Sequence, residues 1–317
     1  MWDEVLLSKL ARLRQELAAA RGEREEIREA LAAHGSFFRI ENNSRKGDIV
    51  GRGAVAVDGS CAGTGQFPGC ITILRALAAY AGERRREERE LYRYDLLAGI
   101  GEEGMSEEED KDRAEEEYRA REKKLLAALE VEAALMALRR WEPALVIFDG
   151  GFLRLANGAG DRWEELVQVA REKGVALVGV IEEIGTYDLS RKLKVRGKRP
   201  AYHDRELFYG LLEMGEGFLL RESIKGGFRT VFVRFSSYPQ AVACDFLPEV
   251  TDEEIFRILA FLASITPRQG RGIPLLLDVV DSRVRISREE LESILYSRLG
   301  PELVEKYFLP QRQRRPY

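Results

Sequence analysis

Ala144-Leu145-Val146-Ile147-Phe148-Asp149-Gly150-Gly151 sets five consecutive apolar residues between Pro143 and an aspartate followed by two glycines. An apolar run without alternation is the pattern of a strand covered on both faces, and a proline in front of it ends any preceding helix. The earlier stretch Ala54-Val55-Ala56-Val57-Asp58-Gly59-Ser60 repeats the arrangement, a buried strand that ends at Asp-Gly. Beyond it the chain turns through Gly63, Gly65, Pro68 and Gly69. Residues 71–80 and 91–97 then supply two more apolar runs. Three successive strands with short connections make an antiparallel meander.

Between the two quoted stretches lies a long helix. Ser106 and Glu109 have capping-box spacing, the acids from Glu102 to Glu117 suit a helix start, and Pro143 stops the helix that these signals open at about residues 107–140. A solvated helix start is enough to account for that acidic run. Downstream, a helix over 161–173 and a strand over 175–181 imply a parallel, right-handed pairing with the 144–148 strand. Strands are expected at 217–220, 230–235 and 241–246, with helices over 251–265 and from Ser287 onward. At the N-terminus Leu6, Leu10, Leu13, Leu17, Ala20, Ile27 and Leu31 follow a coiled-coil period broken at Arg24. That seam lies on the protein's own core, or serves as a dimer arm or a docking surface. The expected fold is α/β, a mixed sheet flanked by helices. It is one domain over 45–317, with an N-terminal helical arm over 1–34 and a helical insertion at about 103–140.

Composition narrows the function. In 317 residues, 50 Lys and Arg face 54 Asp and Glu, a formal charge of −4, so no global basic excess points to a polyanion and any nucleic-acid contact must be local. Cys61, Cys70 and Cys244 form no CxxC, and His34 and His203 are the two histidines, which argues against a Cys/His zinc site. Gly63-Thr64-Gly65-Gln66-Phe67-Pro68-Gly69 misplaces its last glycine for a dinucleotide loop, and neither a Walker lysine motif nor a GxSxG elbow occurs. Nucleotide and serine hydrolysis are set aside. With an amphipathic start and no run of about eighteen apolar residues, a cytoplasmic protein without a membrane span is expected.

The chemistry lies with the acids. Asp58 and Asp149 each follow a buried strand and precede glycine. On neighbouring strands they would converge and repel unless a divalent cation stood between them, although Asp-Gly is also a hairpin-turn dipeptide. At about 100° per residue, Leu125, Leu129, Glu132 and Met136 share one helical stripe and Glu130 points to the opposite side. A carboxylate such as Glu132 on an apolar face needs a metal or a buried salt-bridge partner. Asp278 and Asp281 lie one turn apart if their segment is helical, and either could be a fourth acid. Carboxylates without histidine favour hard cations, Mn²⁺ or Mg²⁺. Arg191, Lys192, Lys194, Arg196, Lys198 and Arg199, followed by Tyr202 and His203, form a local basic segment suited to DNA phosphates and bases or, more simply, a solvated loop. Arg268, Arg271, Arg283, Arg285 and the tail residues Arg312, Arg314 and Arg315 add positive charge.

The ordered set Val57-Asp58-Gly59-Ser60, a helical acid at Glu132, Phe148-Asp149-Gly150-Gly151 and Gly272-Ile273-Pro274 leading to Asp281 resembles the NurA nuclease family. The resemblance implies a ribonuclease H-like core and Mn²⁺-dependent cleavage of DNA by 5′→3′ exonuclease and single-strand endonuclease activity. It also implies a homodimer and partnership with a HerA-type hexameric ATPase in DNA-end processing. By the same resemblance Asp58, Glu132 and Asp149 are expected to be catalytic acids and metal ligands, and Asp281, which can also bind a cation, joins them as the fourth. Ile273 and Asp281 stand where many members carry an aromatic and a histidine. Two other classes fit the same features: a non-catalytic adaptor on a DNA translocase, and another ribonuclease H-like enzyme such as a junction resolvase.

Overall fold

The computed structural model describes residues 3–20, 24–41, 47–66, 69–83, 88–100, 108–193, 203–223 and 226–308. Helices α1 (Glu4–Ala20) and α2 (Arg24–Ala32) lead into strand β1 (Gly35–Arg39) and helix α3 (Gly47–Arg52). Strands β2 (Ala54–Gln66), β3 (Gly69–Ala81) and β4 (Glu90–Ile100) precede the long helix α4 (Glu108–Trp141). Then come β5 (Leu145–Asp149), α5 (Phe152–Ala159), α6 (Asp161–Lys173) and β6 (Ala176–Ile181). Short helices α7 (Asp188–Lys192) and α8 (Asp204–Phe208) are followed by β7 (Glu216–Leu220), β8 (Arg229–Val233) and β9 (Val242–Phe246). The chain closes with α9 (Asp252–Ser264), α10 (Leu275–Val284), α11 (Arg288–Leu299) and α12 (Pro301–Tyr307). The fold is mixed α/β, with helices flanking nine strands among the described residues. No helix of those residues is long and apolar enough to cross a membrane.

Two compact units divide the chain, one of Met1–Lys46 and Gly179–Leu275, the other of Gly47–Val178 and Leu276–Tyr317. In the first, β1, β7, β8, β9 and β6 follow one another in antiparallel order. Phe208, Phe218 and Phe232 are buried in its core together with Leu31 of α2. The N-terminal seam is therefore split. Leu31 and Ile27 join this core, whereas Leu6, Leu7, Leu10 and Leu13 of α1 are exposed.

The second unit has the strand order β5-β2-β3-β4. The meander β2-β3-β4 is antiparallel, and β5 returns parallel to β2 with Val57 opposite Phe148. Three antiparallel strands, a crossover helix and a fourth strand parallel to the first is the ribonuclease H-like order. Parallel pairing needs such a crossover, and α4 provides it. Val55, Ala56 and Val57 of β2 and Val146, Ile147 and Phe148 of β5 are fully buried, as unalternating apolar runs require. Helix α4 packs against β2, β3 and β4 and also against α5 and α6, so its middle is enclosed from two directions.

One expectation about these elements changes. Strand β2 does not end at Asp58-Gly59 but runs on to Gln66, because β3 pairs with it along its whole length from Ala54↔Ala81 to Gln66↔Gly69. Asp58 is thus a mid-strand residue and the turn reading for it falls away. At Asp149 the strand does end, and Gly150 takes φ +104°, a left-handed turn that glycine permits. The segment holding Asp278 and Asp281 is the helix α10.

Candidate active site

Asp58 sits in β2 opposite Leu77 of β3, one residue beyond the Val57–Phe148 pairing, and Asp149 is the residue that follows Phe148 in β5. Parallel register therefore brings the two aspartates to adjacent strands at the same level. Asp58 is 9% exposed, and its Oδ1 accepts a hydrogen bond of 2.7 Å from the Gly59 N–H. Burial, and after it the charges of Asp149 and Glu130, push the Asp58 carboxyl up to about 7; Asp281 adds to the rise and the Gly59 N–H opposes it.

The α4 acid whose charge acts on Asp58 is Glu130. Glu130 is 1% exposed, and Arg154 of α5 grips it with Nη1 at 3.0 Å and Nη2 at 2.6 Å. Burial still drives its carboxyl upward against the pull of that guanidinium. Gly59 lets it come this close: a Cβ there would lie 2.6 Å from Glu130 Oε1. Glu132 is instead held by Arg93 of β4 at 3.0 Å and by Arg162 of α6, which is the salt-bridge alternative to metal binding. For Glu132 the structure thus shows the salt-bridge alternative, and the opposite side of α4, where the helical wheel puts Glu130, is covered as well. Ala127 and Ala134, one turn either side of Glu130, are both fully buried. Alanine at those two positions, with Gly59 in the strand, was the available signal for a close approach to the sheet.

Asp281 in α10 pairs with Arg285 one turn on, at 2.7 and 3.2 Å. It is an α10 acid whose field reaches Asp58. Arg75, buried in the middle of β3, fixes the end of that helix by donating to Val284 O at 2.8 Å, to Arg285 O and to Glu290 Oε1 at 2.7 Å. Arg75→Met leaves two backbone carbonyls and a carboxylate without their donor, and a urea melt is expected to show a loss of about 2–3 kcal/mol. Retention of full stability would remove Arg75 as the anchor of α10.

Of the basic segment, Arg191 and Lys192 are exposed in the last turn of α7, and Arg191 lies 5.4 Å from the Tyr187 ring centroid. The Tyr187 and His203 rings lie 4.3 Å apart, tilted by 33°. Lys194, Arg196, Lys198, Arg199 and Tyr202 fall outside the described residues, as do Arg312, Arg314 and Arg315. Arg271 pairs with Glu182, and Arg283 with Glu90.

Does this donor set suit a hard divalent cation? Its atoms are the carboxylate oxygens of Asp58, Glu130, Asp149 and Asp281, with Arg154 paired to Glu130 and Arg285 to Asp281. The Asp58 carboxyl is raised by burial first and then by the charges of Asp149 and Glu130, and a dication would offset those charges. As they stand, no three His, Cys, Asp or Glu side chains among the described residues are grouped to enclose an ion. Ions of the Mg²⁺ type use one or two carboxylates and take the rest of their shell from water and substrate phosphate, so Asp58 and Asp149 fit such an ion.

The NurA domain matches residues 52–286, which span all four of these acids. No curated protein matches the sequence. Among solved structures, the NurA nuclease from Sulfolobus solfataricus superposes with a TM-score of 0.60 at 13% identity, covering 96% of this chain and 98% of that one. A NurA crystallised with manganese gives 0.54 at 12% identity over 93% and 98% of the two chains. A NurA bound to dAMP and manganese gives 0.52 at 12% identity over 94% and 95%. With the strand order, the paired aspartates and a domain match over most of its length, this chain belongs to the NurA domain family.

Proposed function

We propose that this protein is a divalent-metal-dependent DNA nuclease. The observation that carries the reading is the convergence of Asp58 and Asp149 on adjacent parallel strands, with the Asp58 carboxyl pushed up to about 7 by burial and neighbouring acids. Mn²⁺, or Mg²⁺ in its place, is the cation this oxygen-only set suits. The relatives crystallised with manganese, and with dAMP and manganese, support the choice of ion and of a nucleotide ligand. When bound, such an ion supplies Lewis acidity, lowering the pKa of water and offsetting charge on a phosphoryl oxygen.

The chain's own residues do the remainder. Asp58 and Asp149 hold the ion, and the Gly59 N–H fixes the orientation of the Asp58 carboxylate. Arg75 keeps α10, and with it Asp281, in place. Arg191 and Lys192, with the basic residues that follow them, hold DNA phosphates through charge. In its finer form the reading is 5′→3′ exonuclease and single-strand endonuclease activity in cytoplasmic DNA-end processing. It includes a homodimer working with a HerA-type hexameric ATPase.

End-labelled single-stranded, duplex and branched DNA incubated with Mn²⁺ or with EDTA tests the proposal. Cleavage of single strands and duplex ends is expected with Mn²⁺ and none with EDTA. Absence of metal-dependent cleavage on every substrate overturns it, and binding to a HerA-type ATPase without cleavage assigns the chain to the adaptor class instead. Cleavage confined to branched DNA assigns it to the resolvases.

A further inference from the structure

Both oxygens of Glu130 are taken by Arg154, at 3.0 and 2.6 Å, and the same guanidinium donates to Asp149 O at 3.0 Å. Glu130 is enclosed, whereas the Arg154 side chain is 40% exposed. The guanidinium therefore bridges Glu130 and the Asp149 backbone carbonyl, and the charges of Asp58 and Asp149 also act on it. A dication shared by Glu130 would stand within a few ångström of this fixed monocation, and in a half-buried setting that repulsion is large. Arg154 and a dication thus compete for the same carboxylate. A guanidinium released from Glu130 has planar paired donors that suit a phosphodiester oxygen pair, and its exposure gives it room to turn outward.

On the nuclease reading above, we infer that Arg154 is an internal counter-cation: it holds Glu130 until the divalent ion arrives, cedes the carboxylate to it, and then pairs with a phosphate of the nucleic-acid strand. Arg154 is thus a positioning residue for the metal centre and a binding residue for the substrate. The glycine pair Gly150-Gly151 that precedes α5 brings the first turn of that helix to the rim of the centre, where Arg154 can reach both partners.

The two roles give opposite signs on removal, which a purely structural arginine would not. Titration calorimetry of metal-free protein with Mn²⁺ alone is expected to show Arg154→Met binding Mn²⁺ about tenfold more tightly than the wild type. Steady-state cleavage of a single-stranded oligonucleotide at saturating Mn²⁺ is expected to show KM raised about tenfold. Arg154→Lys keeps the charge but not the two-pronged grip, and shifts both quantities in the same directions by less. It is the variant to use if the methionine protein does not fold. Mn²⁺ affinity unchanged or weakened in the folded variants overturns the inference and leaves the nuclease reading intact. A wild-type protein that neither binds Mn²⁺ nor cleaves DNA overturns the nuclease reading itself.

Discussion

Asp58→Asn is expected to lower Mn²⁺-dependent cleavage by on the order of a thousandfold while making the metal-free protein harder to unfold at pH 8. The first effect follows from replacing an ionised oxygen ligand at the centre with a neutral amide. The second follows from proton linkage. In the fold the Asp58 carboxyl ionises at about 7, against 3.8 as its ordinary value. Below pH 4 both states bind the proton and nothing is lost. Between about 4 and 7 the unfolded chain has released the proton and the folded chain still holds it, so stability falls as pH rises. Above 7 the fold carries a buried charge at a cost on the order of 4 kcal/mol, taken from three pKa units at 1.36 kcal/mol each. Asparagine carries no such charge. Thermal melts of metal-free wild type and variant from pH 4 to 8 check this, with a widening gap in favour of the variant. Parallel curves would show that Asp58 is not a strained acid, and undiminished cleavage by the pure variant would remove it from the centre.

Glu130 and Glu132 are two residues apart on one helix and are expected to behave in opposite ways. Glu130→Gln leaves the Arg154 guanidinium without its buried carboxylate. Breaking such a pair costs about 3–5 kcal/mol when both partners are enclosed, and about 2–4 here because Arg154 is partly exposed. Loss of cleavage accompanies it, since Glu130 is the acid beside Asp58. Glu132→Gln loosens contacts to Arg93 and Arg162, whose side chains are 44% and 54% exposed. With the Glu132 side chain itself 17% exposed these pairs are half-buried and contribute about 1 kcal/mol, so stability and cleavage stay near the wild type. Urea melts and the end-labelled DNA assay on the two variants check the contrast. A Glu132 variant that loses cleavage while Glu130→Gln keeps it would reverse the assignment.

Much of the second unit was legible in local pattern. The apolar runs at Ala54 and Ala144 are strands, the helix over 161–173 is α6 residue for residue, and the 107–140 helix is α4 to within a residue at each end. Placing Asp58 and Asp149 at the ends of buried runs raised their meeting as one reading beside hairpin turns, and the parallel pairing of β2 with β5 is what puts them level. The continuation of β2 past Asp58-Gly59 was not legible, because glycines in a sequence signal turns, and only the length of β3 shows that this one is a cleared approach for Glu130.

The choice between Glu130 and Glu132 shows where reading along the chain stops. A helical wheel orders side chains by angle but does not say how many sides of the helix are covered, and α4 is covered on two. The sequence by itself determined the order of β2, β3, β4, α4, β5, α6 and β6 and placed Asp58 and Asp149 beside buried apolar runs, because backbone periodicity and burial are encoded within a few residues of each position. Tertiary structure alone decided that the charge of Glu130 acts on Asp58 and that Arg154, from a helix twenty-four residues further on, answers it. Such pairings depend on distances between segments that no local pattern records.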